Sequence, residues 1–314
     1  MRIAVTGSIA TDHLMTYPGR FVDQLLPDQL DRVSLSFLAD DLEVRRGGVA
    51  ANIAFGLGAL GLTPLLVAAA GADFAEYDEW LRAHGVDTGP VRISATRHTA
   101  RFVCTTDADQ NQLATFYSGA MSEAREIELA TALAPLADID LVVIAPNDPE
   151  AMLRHTKECR GLGLPFAADP SQQLARLSGS QARSLVDGAR YLFTNEYEAS
   201  LLLRLTEWSR AEVLDRVGTW ITTHGADGVT LERADAPQEH VPAVPTTTEA
   251  DPTGVGDAFR AGFLAGIARE WPAARAAGLG CVLATAALET VGTQHYDASA
   301  AQRALLAPAP AGTV

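Results

Sequence analysis

The sequence has 314 residues, a formal charge of −15 and 47% hydrophobic residues, enough apolar material for one large α/β domain or two ordinary ones. The acidic balance argues against nonspecific binding to nucleic acid or an anionic membrane, since both need a positive surface, but it does not exclude a nucleotide gripped locally by backbone N–H groups and a metal. Cys104, Cys159 and Cys281 are far apart, odd in number and free of CxxC spacing, which argues against a disulfide framework or zinc cluster and predicts three small buried apolar side chains.

At the N-terminus, Asp12 and His13 stand where a signal peptide needs an unbroken apolar core, so a cytoplasmic protein is expected. IAVTG (3–7) and SLSFLADDLEV (34–44) read as strands. Residues 47–72 carry no charge and are long enough to span a bilayer. Six glycines, Asn52 and Pro64 divide that stretch, giving a helix VAANIAFGLGAL and a strand PLLVAAAG instead. AEYDEWLRAHG follows as a helix, then TARFVCTT and LATFYSG as extended, threonine-rich segments. Further on, LVVIAP, PFAAD, YLFTN and WITTHG read as apolar strands between helices that start near Pro149, Gln181, Glu196 and Ser209.

This alternation predicts a single α/β domain over residues 1–314, built as a doubly wound, mostly parallel sheet flanked by helices. Ligands of such sheets sit beyond the carboxyl ends of the strands. Two extended regions, near 10–46 and 98–120, interrupt the pattern and would suit a discontinuous small β-sheet lid; extra edge strands are the plainer alternative. The tail APAPAGTV (307–314) is expected to be disordered.

The strongest motif is DPTGVGDAFRAGFLAG (251–266). A glycine turn leads directly into a helix, so Gly254 and Gly256 allow close approach while the free N–H groups of the new helix point at a bound anion. Asp257 lies in the first turn, where it could take a proton from a substrate hydroxyl. Read without its surroundings, Asp251 would be a cap and Asp257 a first-turn acid. No Lys-Ser or Lys-Thr follows the glycines, so this is not a Walker A loop, and magnesium is the natural neutraliser of phosphate charge.

RRGGVAANIAFGLGALG (45–61) places a glycine pair before a helix. Asn52 could bond sugar hydroxyls there, or act as a local cap after a tight turn. GLGALG (56–61) matches the dinucleotide fingerprint literally but ends a helix instead of opening one, so it is assigned to helix packing and termination.

With GGVAAN and DPTGVGDAF in that order, the sequence resembles the ribokinase-like (PfkB) family over nearly its whole length, to about residue 297. NEYE, through Asn195 and Glu198, resembles the family's N-x-x-E motif near magnesium and phosphates. THGADG resembles its nucleotide-binding turn. Within the family, TGSIATDHLM, SLSFLADDLEVRRGG and ADPSQQLARL are most similar to actinobacterial adenosine kinases.

The resemblance implies a ribokinase-like fold with a small β-sheet lid and transfer of the ATP γ-phosphoryl group to adenosine, a purine-salvage step. It implies Asp257 as the base, with Gly254, Val255 and Gly256 around the transferring phosphoryl. Ser8, Asp12, Ser36, Gly48 and Asn52 would hold the ribose, Phe102 and Phe116 the adenine, with Gln172 and Gln173 close by. Asn195, Thr223, His224, Gly225, Ala226, Asp227 and Gly228 would bind ATP, with Glu198 reaching Mg2+ through water. A homodimer through the lid edges is a further expectation, and potassium is a possible second cation; Pro252, where many relatives carry Thr, removes an N–H and a hydroxyl from the loop beside it. A sugar kinase of the same family and a noncatalytic nucleoside-binding protein remain rival readings.

Overall fold

The computed structural model describes residues 1–26, 31–32, 34–134 and 139–306. The tail expected to be disordered lies outside the described residues, as do 27–30 and 33 of the first extended region. The chain opens with β1 (Ile3–Thr6), then β2 (Ala10–Thr16), β3 (Asp41–Gly47), α1 (Val49–Ala59) and β4 (Leu65–Val67). Short strands β5 (Ala69–Ala70) and β6 (Arg92–Ile93) bracket α2 (Ala75–Ala83), before β7 (Ala100–Thr106) and β8 (Gln112–Tyr117). After α3 (Leu129–Leu133) come β9 (Leu141–Ile144), α4 (Pro149–Leu162), β10 (Phe166–Ala168), α5 (Gly179–Val186) and β11 (Tyr191–Asn195). Then follow α6 (Glu196–Thr206), α7 (Arg210–Leu214) and β12 (Thr219–Thr223). A hairpin of β13 (Val229–Arg233) and β14 (Ala236–Val241) leads to α8 (Val255–Ala268), α9 (Ala273–Leu288) and α10 (Ser299–Leu306).

The central sheet has the order β14-β13-β12-β11-β10-β9-β1-β4, parallel from β12 to β4 and antiparallel in the hairpin. Its apolar runs follow from burial on both faces. Ile3, Val5, Leu141 and Val143 pack with α1, α8 and α9, whereas Ala4, Val142 and Ile144 pack with α4, α5 and α6. The doubly wound, mostly parallel sheet read from the sequence is therefore the one observed.

Helix starts follow local capping. Asp148 accepts from Ala151 N ahead of Pro149, while Ser178/Gln181, Asn195/Glu198 and Ser209/Glu212 form reciprocal capping boxes. Gln181 is thus the third residue of its helix. GLGALG does serve packing: a side chain on Gly56 would come within 2.5 Å of Ala261 Cβ on α8, so α1 packs its bare backbone against the Ala261 methyl of α8.

A second sheet has the order β3-β2-β7-β8. The segment 34–44 expected to be one strand pairs only from Asp41 onward. Phe37 instead joins Tyr17 and Phe21 in a three-ring cluster, which holds the preceding residues off the ladder. In register, Arg45 opposes Asp12, Asp12 opposes Phe102, and Phe102 opposes Phe116. Residues directly opposite share a face, so this row presents four side chains to one side of the sheet.

Candidate active site

A cavity of about 590 Å³ lies between the second sheet and the carboxyl ends of β1, β9 and β10, beside the point where strand order reverses. Ser8 enters it from the segment after β1, Gly48 and Asn52 from the start of α1, Asp12, Phe102 and Phe116 from the second sheet, Gln172 and Gln173 from the turn after β10, and Gly254 and Asp257 from the start of α8. Thr253, Thr293, Met121 and Arg176 also line it and were not picked out from the sequence. Arg176 stood in plain view beside the glutamine pair, but nothing in its local pattern marked it. Ser36 is not part of the lining: it is exposed, on the segment that Phe37 draws away.

Both helix starts depend on a left-handed glycine. Gly48 (φ 94) caps α1, and an added Cβ would lie 2.6 Å from Ala10 N. Gly254 (φ 78) caps α8 against Thr293. The first-turn N–H groups of Val255, Gly256 and Asp257 are those that a helix leaves without an i−4 partner. Asp251 braces the loop from outside: it accepts from Thr253 N at 2.9 Å, from Gly292 N at 3.1 Å and from Arg45 Nη1 of the second sheet at 2.9 Å.

Asp257 Oδ2 accepts from Asn52 Nδ2 at 2.8 Å. Burial pushes the Asp257 carboxyl up to about 7, the Arg260 guanidinium and the Asn52 bond opposing the rise and Asp169 adding to it. Such a value is poised for general-base work near neutrality. Beneath the turn, Arg260 donates from Nη1 to Gly256 O at 2.9 Å and from Nη2 to Asp169 Oδ1 at 2.6 Å. This buried pair fixes the carbonyl of the middle glycine. Asp12 is also pushed up, to about 6, by burial, with Arg45 opposing.

Ser8 Oγ accepts from Val49 N at 3.1 Å, so it caps α1 while facing the cavity. Phe116 is half exposed. Gln172 accepts from the Ser171 hydroxyl, whereas Gln173 is 6% exposed and its Oε1 has no partner in the protein.

Asn195 and Thr223 end neighbouring strands in register, so NEYE and THGADG lie side by side at the same end of the sheet, outside the cavity lining. Asn195 and Glu198 bond each other's backbone N–H at 2.8 Å. His224 bridges Glu196 and the Thr230 hydroxyl, each at 2.8 Å. Gly225, Ala226 and Asp227 form an exposed turn closed by Gly228 at φ 94. The three cysteines are buried and free, and among the described residues no helix is long and apolar enough to cross a membrane.

A glycine-turn helix start facing a small second sheet across the switch point of a doubly wound sheet is the ribokinase-like arrangement. The chain belongs to the pfkB family of carbohydrate kinases, whose model matches residues 5–300, and it is a kinase acting on a nucleoside or sugar hydroxyl. The ligand-free nucleoside kinase of Burkholderia thailandensis superposes with a TM-score of 0.84 at 35% identity, over 96% of this chain and 99% of that one; its complex with inosine gives 0.80 at 34%, over 94% and 93%. The nucleoside kinase of Methanocaldococcus jannaschii is 29% identical over 250 residues, 79% of this chain and 80% of the relative. Its structure superposes with a TM-score of 0.84 over 97% and 98%.

Proposed function

We propose that this kinase phosphorylates the 5′-hydroxyl of adenosine, giving AMP and ADP. The observation that carries this reading is a single cavity joining Asp12, the Phe102/Phe116 pair and Asp257. Asp12 accepts the two ribose hydroxyls, as a carboxylate can for a vicinal diol. The phenylalanines flank a neutral purine. Asp257 takes the 5′-hydroxyl proton as that oxygen attacks the γ-phosphorus and ADP departs, and the N–H groups of Gly254, Val255 and Gly256 face the transferring phosphoryl. Gln173 adds a buried Oε1 without a partner in the protein, an acceptor that the exocyclic amine of adenine can meet. The inosine bound by the Burkholderia relative makes a broader purine-nucleoside kinase the second reading.

ATP lies along Asn195, Thr223, His224, Gly225, Ala226, Asp227 and Gly228. Among the described residues no three His, Cys, Asp or Glu side chains form a metal-binding group, which suits a magnesium ion that arrives on the phosphates, keeps several waters and meets Glu198 through one of them. When bound it neutralises charge on the phosphates. Asp251 already takes Arg45, Thr253 and Gly292, so potassium enters only as a variable to test.

The second sheet acts as a lid that shuts water out of the transfer site. Its outer face exposes Leu42, Val44, Leu113 and Tyr117, and its edge strands β3 and β8 suit pairing with a second copy in a homodimer. The deciding assay couples ADP release to magnesium-ATP with adenosine, inosine, guanosine, ribose and fructose as acceptors, with and without potassium. Adenosine-selective turnover, lost in Asp257→Asn, is expected. Turnover with a free sugar alone would overturn the nucleoside reading, and silence with every acceptor would favour a noncatalytic binding protein.

A further inference from the structure

Behind Asn52 lies a chain of buried polar contacts that the catalytic reading does not use. Trp80 Nε1 donates to Gln294 Oε1 at 3.1 Å. Gln294 Nε2 donates to Asn52 Oδ1 at 2.9 Å and to the Tyr77 hydroxyl. Tyr77 in turn donates to Gly47 O at 2.9 Å, and the Thr293 hydroxyl touches both Asn52 Oδ1 at 2.9 Å and Arg46 O at 2.8 Å. Gln294, Tyr77 and Asn52 are all buried.

An amide can face either way, but an indole nitrogen only donates. Trp80 therefore requires the Gln294 oxygen on its side, because the reverse would set N–H against N–H. That choice turns both Gln294 N–H groups toward Asn52 and Tyr77. Asn52 must then present its oxygen to Gln294 and its nitrogen to Asp257. Each link from Trp80 through Gln294 and Asn52 to Asp257 has one arrangement in which every donor meets an acceptor, and these links agree in direction.

We propose that Trp80 and Gln294 are positioning residues that fix the direction of the Asn52 amide, so that Asn52 always donates to Asp257 Oδ2 and leaves Oδ1 for the acceptor hydroxyl. An N–H aimed at a carboxylate favours its ionised form, the form a base needs. Asn52 Oδ1 is already taken by Gln294, with the single Thr293 proton shared between it and Arg46 O, so Asn52 serves the base first and the ribose at most through its second N–H. The same chain ends on Gly47 O and Arg46 O, tying the last residues of β3 to the base.

The other groups around Asp257 do not supply this direction. Arg260 on its own helix lowers the carboxyl and Asp169 after β10 raises it. Glu198 faces the Arg260–Asp169 pair, Asp12 shares the cavity, and the buried Tyr77 and Tyr296 hydroxyls are pushed well above the usual tyrosine range by burial.

The inference rests on Asp257 as the base, and its test reads the carboxyl directly. The Asp257 carboxyl is titrated by carbon-13 NMR in the ligand-free protein, assigned with Asp257→Asn, and the acidic limb of kcat is measured alongside. Trp80→Phe keeps a ring against Phe55 and His84 but removes the donor; Gln294→Met removes the amide. Phe55→Leu disturbs the same stack without touching the chain. The midpoint and the acidic limb should both rise by about one pH unit in Trp80→Phe and in Gln294→Met and stay put in Phe55→Leu. An unmoved midpoint, or an equal shift in Phe55→Leu, overturns the proposal. A shifted midpoint in a protein that turns over no acceptor would sink the functional reading while leaving the chain intact.

Discussion

The proposed acceptor cavity and the proposed nucleotide surface sit at the carboxyl ends of different strands of one parallel sheet, β1, β9 and β10 for the first and β11 and β12 for the second, and they are built in opposite ways. The cavity draws on elements remote in sequence, β2, β7, β8, α1, α8 and the turn after β10, and its carboxylates are buried enough to titrate well above the usual range. The proposed nucleotide side is two adjacent strand ends, NEYE and THGADG, held by short-range contacts and largely open. Selectivity needs enclosure, because rejecting a wrong acceptor requires groups that would be left unpaired. A polyphosphate brings its own charge and metal, and needs mainly backbone along an open track.

The sharpest way to break this contrast is Asp257→Asn. Turnover should fall by about 10²–10⁴-fold, with acceptor affinity by calorimetry nearly unchanged; an equal loss of both would make Asp257 a binding residue. Next in size, Phe102→Ala should weaken adenosine binding by about 1–3 kcal/mol while the KM for ATP stays constant. A comparable rise for both substrates would mean that the two sides are one site. Gly228→Ala places a Cβ 2.2 Å from Val241 O, so it should raise the KM for ATP severalfold and spare adenosine binding.

The pH response refines the comparison further. Asp257 must be ionised to accept a proton, so turnover should fall as pH drops through about 7. Stability runs the other way. The folded carboxyl holds its proton up to about 7 and the unfolded one releases it near 3.8, so folding weakens as pH rises across that window. Asp257→Asn should therefore melt above the parent at about pH 8, with the gap closing toward pH 4. An unchanged Tm at both ends would mean that the carboxyl is not buried at a cost.

Much of this was legible in the sequence because it is local. Apolar runs of four or five residues give β1, β9 and β11, and a glycine turn before a small-residue helix gives the start of α8. What escaped depends on contacts between distant residues. Neither the β13–β14 hairpin nor α9 was read out, the first lacking a clean alternation and the second a polar face. Ser36 looked like a site residue because its neighbours resemble a family segment, but the Phe37 ring cluster decides where it goes. For Asn52, read as a sugar ligand or a local cap, the contacts with Gln294 and Thr293 escaped because they lie some 240 residues away. Arg45 and Asp251 are separated by 206 positions, and no spacing rule joins them.

The bare contact between Gly56 and Ala261 makes α1 and α8 one caliper. Their amino ends are its two tips, one under the proposed sugar site and one at the proposed phosphoryl site, and at the hinge the bare Gly56 backbone meets the Ala261 methyl. On the proposed reading, the gap from acceptor oxygen to phosphorus is set by a stiff joint deep in the core. An acceptor that differs in length from the 5′-carbon inward would meet a jaw that does not adjust, whereas variation at the far edge of the base falls against the half-exposed Phe116, where the protein has room to yield.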